Sequence, residues 1–180
     1  FVKKIMDAWA DERKLRISYE SRASAKAFDI QVTEFKSIGN IKIKDLNIKY
    51  FEVDHKPVKY AYGFNFFHRN KKLTISGDTR PCENIMKYGL LSDVLLHEVF
   101  IDGEIKKINK MRTIKTLHNV SDYHTSSNIV GKVAKLTKCK KLVLTHLVPT
   151  RFNEKKLKNI VKKDFGKDPI IGKDLLRIKI

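Results

Sequence analysis

The sequence predicts an α/β protein whose sheet mixes antiparallel and parallel strands. Three observations predict it. The hydrophobic period switches repeatedly between helical and strand spacing. The early strand candidates are separated by short polar segments of hairpin length. From residue 83 onward, apolar strand candidates alternate with helical stretches, the pattern of parallel strands joined by crossover helices. A length of 180 residues favours one hydrophobic core, or part of one, over two independent units.

Each element follows from its own pattern. Phe1, Val2, Ile5, Met6 and Trp9 form an apolar stripe at helical spacing, so a helix is expected up to about Arg13. Phe28, Ile30 and Val32 alternate with polar residues and predict a strand over 28–35; Ile41, Ile43 and Ile48 predict another over 41–53. Residues 60–67 and 72–76 flank the polar segment 68–71 and read as a hairpin. Next come a helix at 83–88, a buried strand at 94–99, helices at 103–116 and 126–137, and a strand at 141–145. A basic helix over 153–164 and strands at 169–171 and 175–180 follow. No internal repeat, linker or low-complexity run interrupts them.

Composition narrows the class. Hydrophobic residues at 42% and charged residues at 32% suit a globular chain rather than a disordered one. No apolar run approaches the roughly 20 residues of a membrane span, which predicts a protein outside the membrane. The two cysteines, Cys82 and Cys139, form no C-x-x-C pair, arguing against a disulfide framework or a cysteine zinc site and for a reducing, cytoplasmic compartment. A net charge of +18, from 38 Lys and Arg against 20 Asp and Glu, attracts polyanions, of which nucleic acid is the commonest. The excess is mostly lysine and spread along the chain, so a solvated lysine-rich surface competes evenly with a dedicated groove.

Chemistry-bearing residues gather at strand ends. Val53-Asp54-His55 ends one strand, Ser76-Gly77-Asp78-Thr79 follows another, and Leu144-Thr145-His146 ends a third. Polar residues just beyond apolar strands are held at the rim of a sheet, where sites form. His55, Asp78 and His146 together are a credible metal constellation, because imidazole and carboxylate are ligands that zinc and similar ions accept. Any one alone reads equally as a surface histidine or a turn aspartate. His68 and His118 fit no motif and read as surface residues.

Taken in order, five segments resemble the metallo-β-lactamase superfamily, in its branch of transfer-RNA 3′-processing endonucleases and arylsulfatase-like hydrolases. They are V-D-H-K-P-V-K-Y-A-Y-G-F from Val53, I-S-G-D-T-R-P from Ile75, D-V-L-L-H-E from Asp93, H-T-S-S from His124 and L-V-L-T-H-L-V-P from Leu142. The resemblance implies the C-terminal part of a four-layer αββα sandwich, as one domain over 1–180. It implies two divalent metal ions, zinc first among them, in the complete protein, with His55 and His146 as ligands and Asp78 bridging the pair. It also implies that Glu98 orients His124, which would act on the substrate phosphate or leaving group. Two close divalent ions need a shared carboxylate to hold them together, and a leaving oxygen needs a proton that an imidazole aligned by a carboxylate can supply. Read without the resemblance, His97 and Glu98 could form a rim hydrogen bond at the strand end and His124 could cap the following helix.

Two departures from the family pattern shape the expectations. The H-x-H-x-D-H signature, which supplies most of the ligands, is absent from these residues, so this stretch is expected to be incomplete as a metal site and inactive alone. Transfer-RNA processing members often carry a long arm where residues 64–72 form only a hairpin. The expected activity is therefore hydrolysis of a phosphodiester or sulfate ester by metal-activated water, acting on a small ester or phosphodiester. A transfer-RNA 3′ endonuclease and a non-catalytic basic RNA-binding module stand as alternatives. One sheet face is expected to need cover from the missing N-terminal part or from a second copy in a homodimer; the exposure of Phe64, Phe66, Leu95 and Leu144 tests this.

Overall fold

A computed structural model describes residues 1–20, 26, 29–107 and 113–180, without the side chains of 105–107. The chain divides into two units, Phe1–Lys36 and Ser37–Ile180. In the first, the expected single helix is two, α1 (Val2–Ala8) and α2 (Ala10–Tyr19), broken at Trp9. Arg16 ties α2 internally through Glu12 and Glu20, each four residues away. Residues 29–36 form no strand, against the expectation for 28–35; residue 28 lies outside the described residues. Alternation alone does not make a strand, which also needs a hydrogen-bonding neighbour, and Ile30 and Val32 stay exposed.

The second unit is built on one seven-stranded sheet whose spatial order follows the sequence. Strands β1 (Ile38–Ile43), β2 (Leu46–Glu52), β3 (Tyr62–His68) and β4 (Lys71–Ile75) pair antiparallel with one another in that order. The strand expected over 41–53 is thus two, because Lys44 takes a left-handed φ of 54° and turns the chain back. Arg69 does the same between β3 and β4, leaving the short turn the sequence predicts. Helix α3 (Glu83–Gly89) leads into β5 (Val94–Phe100), which runs parallel to β4. A 3₁₀ turn (Asp102–Lys107) and helices α4 (Ile114–Ser121) and α5 (Val130–Leu136) precede β6 (Lys141–Val148). Helix α6 (Glu154–Phe165) and β7 (Ile170–Ile171) complete the parallel half.

Three expectations need correction here. The helix predicted at 103–116 is a 3₁₀ turn and a separate α4, with 108–112 outside the described residues. Thr113 is the reason for the new start: its Oγ1 accepts the amide of Thr116 as an N-cap. The helix predicted from 126 begins at Val130, because Ser126 bridges to Phe100 instead. The strand predicted over 175–180 is absent, with Leu175 at a φ of 63° and fully exposed.

The core lies between the sheet and helices α3, α5 and α6. Leu95, Val99, Leu142 and Leu144 meet Ile85, Val133, Leu157 and Val161, all buried. On the opposite face Phe64 and Phe66 are half-buried, whereas Leu95 and Leu144 are buried by the helices. The four test residues therefore divide by face. Among the described residues no helix is long and apolar enough to cross a membrane.

Candidate active site

Three strand ends and one loop meet at the C-terminal rim of the parallel strands. Residues after β2 carry His55, those after β4 carry Asp78, the end of β6 carries His146, and the loop before α5 carries His124. These segments are stitched together by backbone bonds. The amide of Arg80 donates to Asp54 O at 2.8 Å, joining the Asp78 and His55 segments. Thr125 Oγ1 donates to Thr79 O at 2.7 Å, joining the His124 loop to the same segment.

His146 reaches the site because β6 bulges. Leu142 and Leu144 face the helices, so strict alternation would send residue 146 into the core as well. Instead Glu98 pairs with Thr145 and Val99 with Leu147, leaving His146 as the extra residue at a φ of 43°. Its Nε2 lies 3.5 Å from Asp78 Oδ2, and its ring centroid 5.4 Å from that of His124. Gly77, at a φ of 63°, lets the chain turn into Asp78; a methyl there would collide with the Tyr62 carbonyl.

His55 and His124 are oriented by different means. His55 Nδ1 lies 2.9 Å from Tyr123 O, and a carbonyl can only accept, so Nδ1 carries the proton and Nε2 is left for a ligand. The His55 and His124 rings are 5.0 Å apart. Glu98, 1% exposed, uses Oε1 to accept the amides of Thr125 at 2.7 Å and Thr79 at 3.2 Å. Its Oε2 faces His124 Nδ1 at 3.3 Å, without an aligned hydrogen bond. Glu98 thus holds the loop and faces the histidine. Helix α5 starts six residues later with no side-chain cap, so His124 does not cap it.

The structure brings all five predicted residues together: Asp78 to His146, His146 to His124, and His124 to both His55 and Glu98. His68 pairs with Asp45 on the surface, and His118 is exposed. Three further residues support the site, of which the sequence pointed only to His97, as a hydrogen-bond partner of Glu98. Tyr123 acts through its backbone carbonyl, which has no sequence signature. His97, wholly buried, donates from Nδ1 to Glu98 O at 2.7 Å, and burial lowers its pKa. Asp102 accepts from Ser126 Oγ, Ser127 Oγ and Asn128 Nδ2, anchoring the far end of the His124 loop. The spacing of three small polar residues after His124 was the available signal.

Nitrogen and oxygen donors at 3.5 Å, both about half exposed, suit a shared divalent ion. Among the described residues, however, no group of three His, Cys, Asp or Glu closes around one. The chain supplies donors of the right kind but not a closed site. Grooves of about 450 Å³ beside His55 and about 470 Å³ beside His146 flank the cluster.

No protein-family model matches the chain. It is 28% identical over 138 residues to the ribonuclease Z of Mycolicibacterium gilvum, covering 76% of this chain and 47% of that protein. To the ribonuclease Z of Mycobacterium tuberculosis H37Rv it is 26% identical over 137 residues, covering 75% and 49%. The chain thus spans about half the length of these curated relatives. The metallo-β-lactamase fold protein YhfI from Bacillus subtilis aligns with a TM-score of 0.62 at 20% identity, over 77% of this chain and 50% of that one. A diphosphatase of the PhnP family aligns with a TM-score of 0.57 at 13% identity, over 94% and 55%. In sequence the chain is thus similar to ribonuclease Z proteins over about three quarters of its length, and its fold is that of the metallo-β-lactamase fold proteins.

Proposed function

We propose that the chain carries part of the active site of a metal-dependent hydrolase that cleaves a phosphodiester bond of RNA. The observation that carries this reading is the Asp78, His146, His124 and His55 cluster, with Glu98 buried behind His124. His55, His146 and Asp78 would hold divalent ions, zinc first among them, together with ligands outside these 180 residues or from a second copy. Such ions supply charge neutralisation and water activation at neutral pH. Asp78 and His146 would hold those ions where the attacked phosphate binds. His124, facing the Glu98 carboxylate at 3.3 Å, would give its proton to the leaving oxygen. The lining of the site by protein on the Phe100 and Tyr123 side restricts water at that proton.

RNA is preferred to a small ester or sulfate ester because the sequence relatives are ribonucleases and the chain is strongly basic. The transfer-RNA 3′ endonuclease reading draws on the same relatives; the short turn between β3 and β4 opposes it, since an arm is common there in that branch. The test uses the full-length protein and Asp78→Ala. Wild type should cleave an RNA with a 3′ extension, and the variant should lose cleavage and metal content while still binding the RNA. Unchanged cleavage by the variant, or wild-type turnover of p-nitrophenyl sulfate but not RNA, overturns the reading.

A further inference from the structure

The positive charge is not uniform once the fold is known. Residues 130–168 hold 12 Lys and Arg against 3 Asp and Glu, so this fifth of the chain carries half of its +18. That stretch contains α5, β6 and α6, and its lysines concentrate on the outer side of the two helices. Leu157, Val161 and Phe165 turn the apolar face of α6 inward, which leaves Lys155, Lys156, Lys162 and Lys163 exposed. Lys132 and Lys135 are exposed on α5. The two rows are brought close because Gly131 lets the α5 backbone touch α6: a methyl there would sit 2.5 Å from Val161 O.

Solubility alone does not demand this arrangement, since glutamate would solvate a helix face equally well. Lys158 and Lys162 have acidic partners in Glu154 and Asp168. Among the described residues, Lys132, Lys135, Lys155 and Lys163 make no ion pair. Lys132 and Lys163 line one groove of about 360 Å³ with Asn128, Ile160 and Asp164. Asn128 lies four residues after His124 in the same loop, which its bond to Asp102 at 3.0 Å anchors to the 3₁₀ turn. The groove therefore links the loop that carries His124 to the lysine rows.

We propose that the outer α5–α6 face is a docking surface for the phosphate backbone of RNA, leading the strand toward His124. The proposal rests on the hydrolase reading only in taking RNA as the polyanion. Contacts of this kind are electrostatic and carry no base readout, so each lysine on a phosphate adds about 0.7–0.9 to the slope of log affinity against log salt. The substrate end would be set by the metal cluster, and the distance reached along the stem by this face.

The experiment measures anisotropy of a labelled RNA hairpin with a 3′ single strand, titrated at several salt concentrations. The full-length protein carries Asp78→Ala so that nothing is cut. Adding K132Q, K155Q and K163Q should lower the slope by about 2–3 and the affinity at 0.1 M salt by about 100- to 500-fold. A control with K42Q, K44Q and K71Q removes equal charge from the β1–β2 and β3–β4 hairpins and should change the slope by less than about 1. Equal losses in the two triples show bulk attraction and overturn the proposal. So does an unchanged slope in the first triple, or loss of binding to phosphatidylserine vesicles alone. If wild type never cleaves RNA yet the first triple loses slope, the surface stands and the hydrolase reading falls.

Discussion

Replacing Glu98 separates its two tasks, holding a loop and facing a histidine. Glu98→Ala leaves the buried amides of Thr79 and Thr125 without an acceptor. Each orphaned donor costs about 1–3 kcal/mol. With two donors orphaned, a loss of about 2–6 kcal/mol is expected, a large share of a typical domain's 5–15. Glu98→Gln keeps an oxygen for both amides and loses only the charge, so its loss should be about 1–2 kcal/mol. Urea unfolding followed by circular dichroism reads both. For activity, the glutamine variant should slow RNA cleavage more than cleavage of a p-nitrophenyl phosphodiester, whose leaving oxygen needs no proton. Alanine within 1 kcal/mol of wild type would refute the loop-holding role. Equal slowing on both substrates would refute the link through His124.

Gly77→Ala should destabilise by more than about 2 kcal/mol, since it adds left-handed strain to a collision with the Tyr62 carbonyl; metal content measured on the folded fraction should fall as Asp78 shifts. His97 is buried with its pKa below the ordinary 6.5, so the native state stays neutral while the unfolded chain takes up a proton. Stability should therefore drop as pH falls below 6.5, by up to about 1.4 kcal/mol per unit, and His97→Gln should flatten that drop in urea midpoints. Burial pushes the Cys139 thiol up to about 11, so iodoacetamide should label half-buried Cys82 in the native protein and reach Cys139 only on unfolding. Equal native labelling of both would contradict the packing around Cys139.

Elements buried on the sheet were legible because their patterns record burial. Strand β5 is apolar at nearly every position, and α6 repeats its apolar residues at helical spacing; each formed within a residue or two of expectation. The misses lie where burial leaves no pattern. Ile30 and Val32 alternate as strand residues do, but no neighbouring strand pairs with them. Leu175 and Leu176 continue an apolar run, yet both are exposed. The split of 41–53 turned on a single left-handed residue, Lys44, of a type that rarely advertises a turn. The site residues were named from five ordered segments, but their supports were not, because Tyr123 contributes a carbonyl and Thr79 and Thr125 contribute amides. Backbone donors of that kind are visible only after the chain has folded.

The bulge at His146 explains why the site depends on the sheet as a whole. Among the described residues with a left-handed φ and a side chain, His146 lies inside a β-strand rather than in a turn or at a strand's edge. That conformation costs about 1–3 kcal/mol and persists only where its surroundings enforce it. The enforcement is visible on both sides. Val143 and Leu144 pair with β7, and Leu147 returns to the core opposite Val99, so the strand is pinned before and after the strained residue. Deleting the strain by restoring alternation would bury His146 and expose Leu147, losing roughly 2 kcal/mol of apolar burial and placing an imidazole in the core. The packing of Leu147 therefore holds His146 at Asp78, and a change at Leu147 would act on the metal cluster without touching any of its donors.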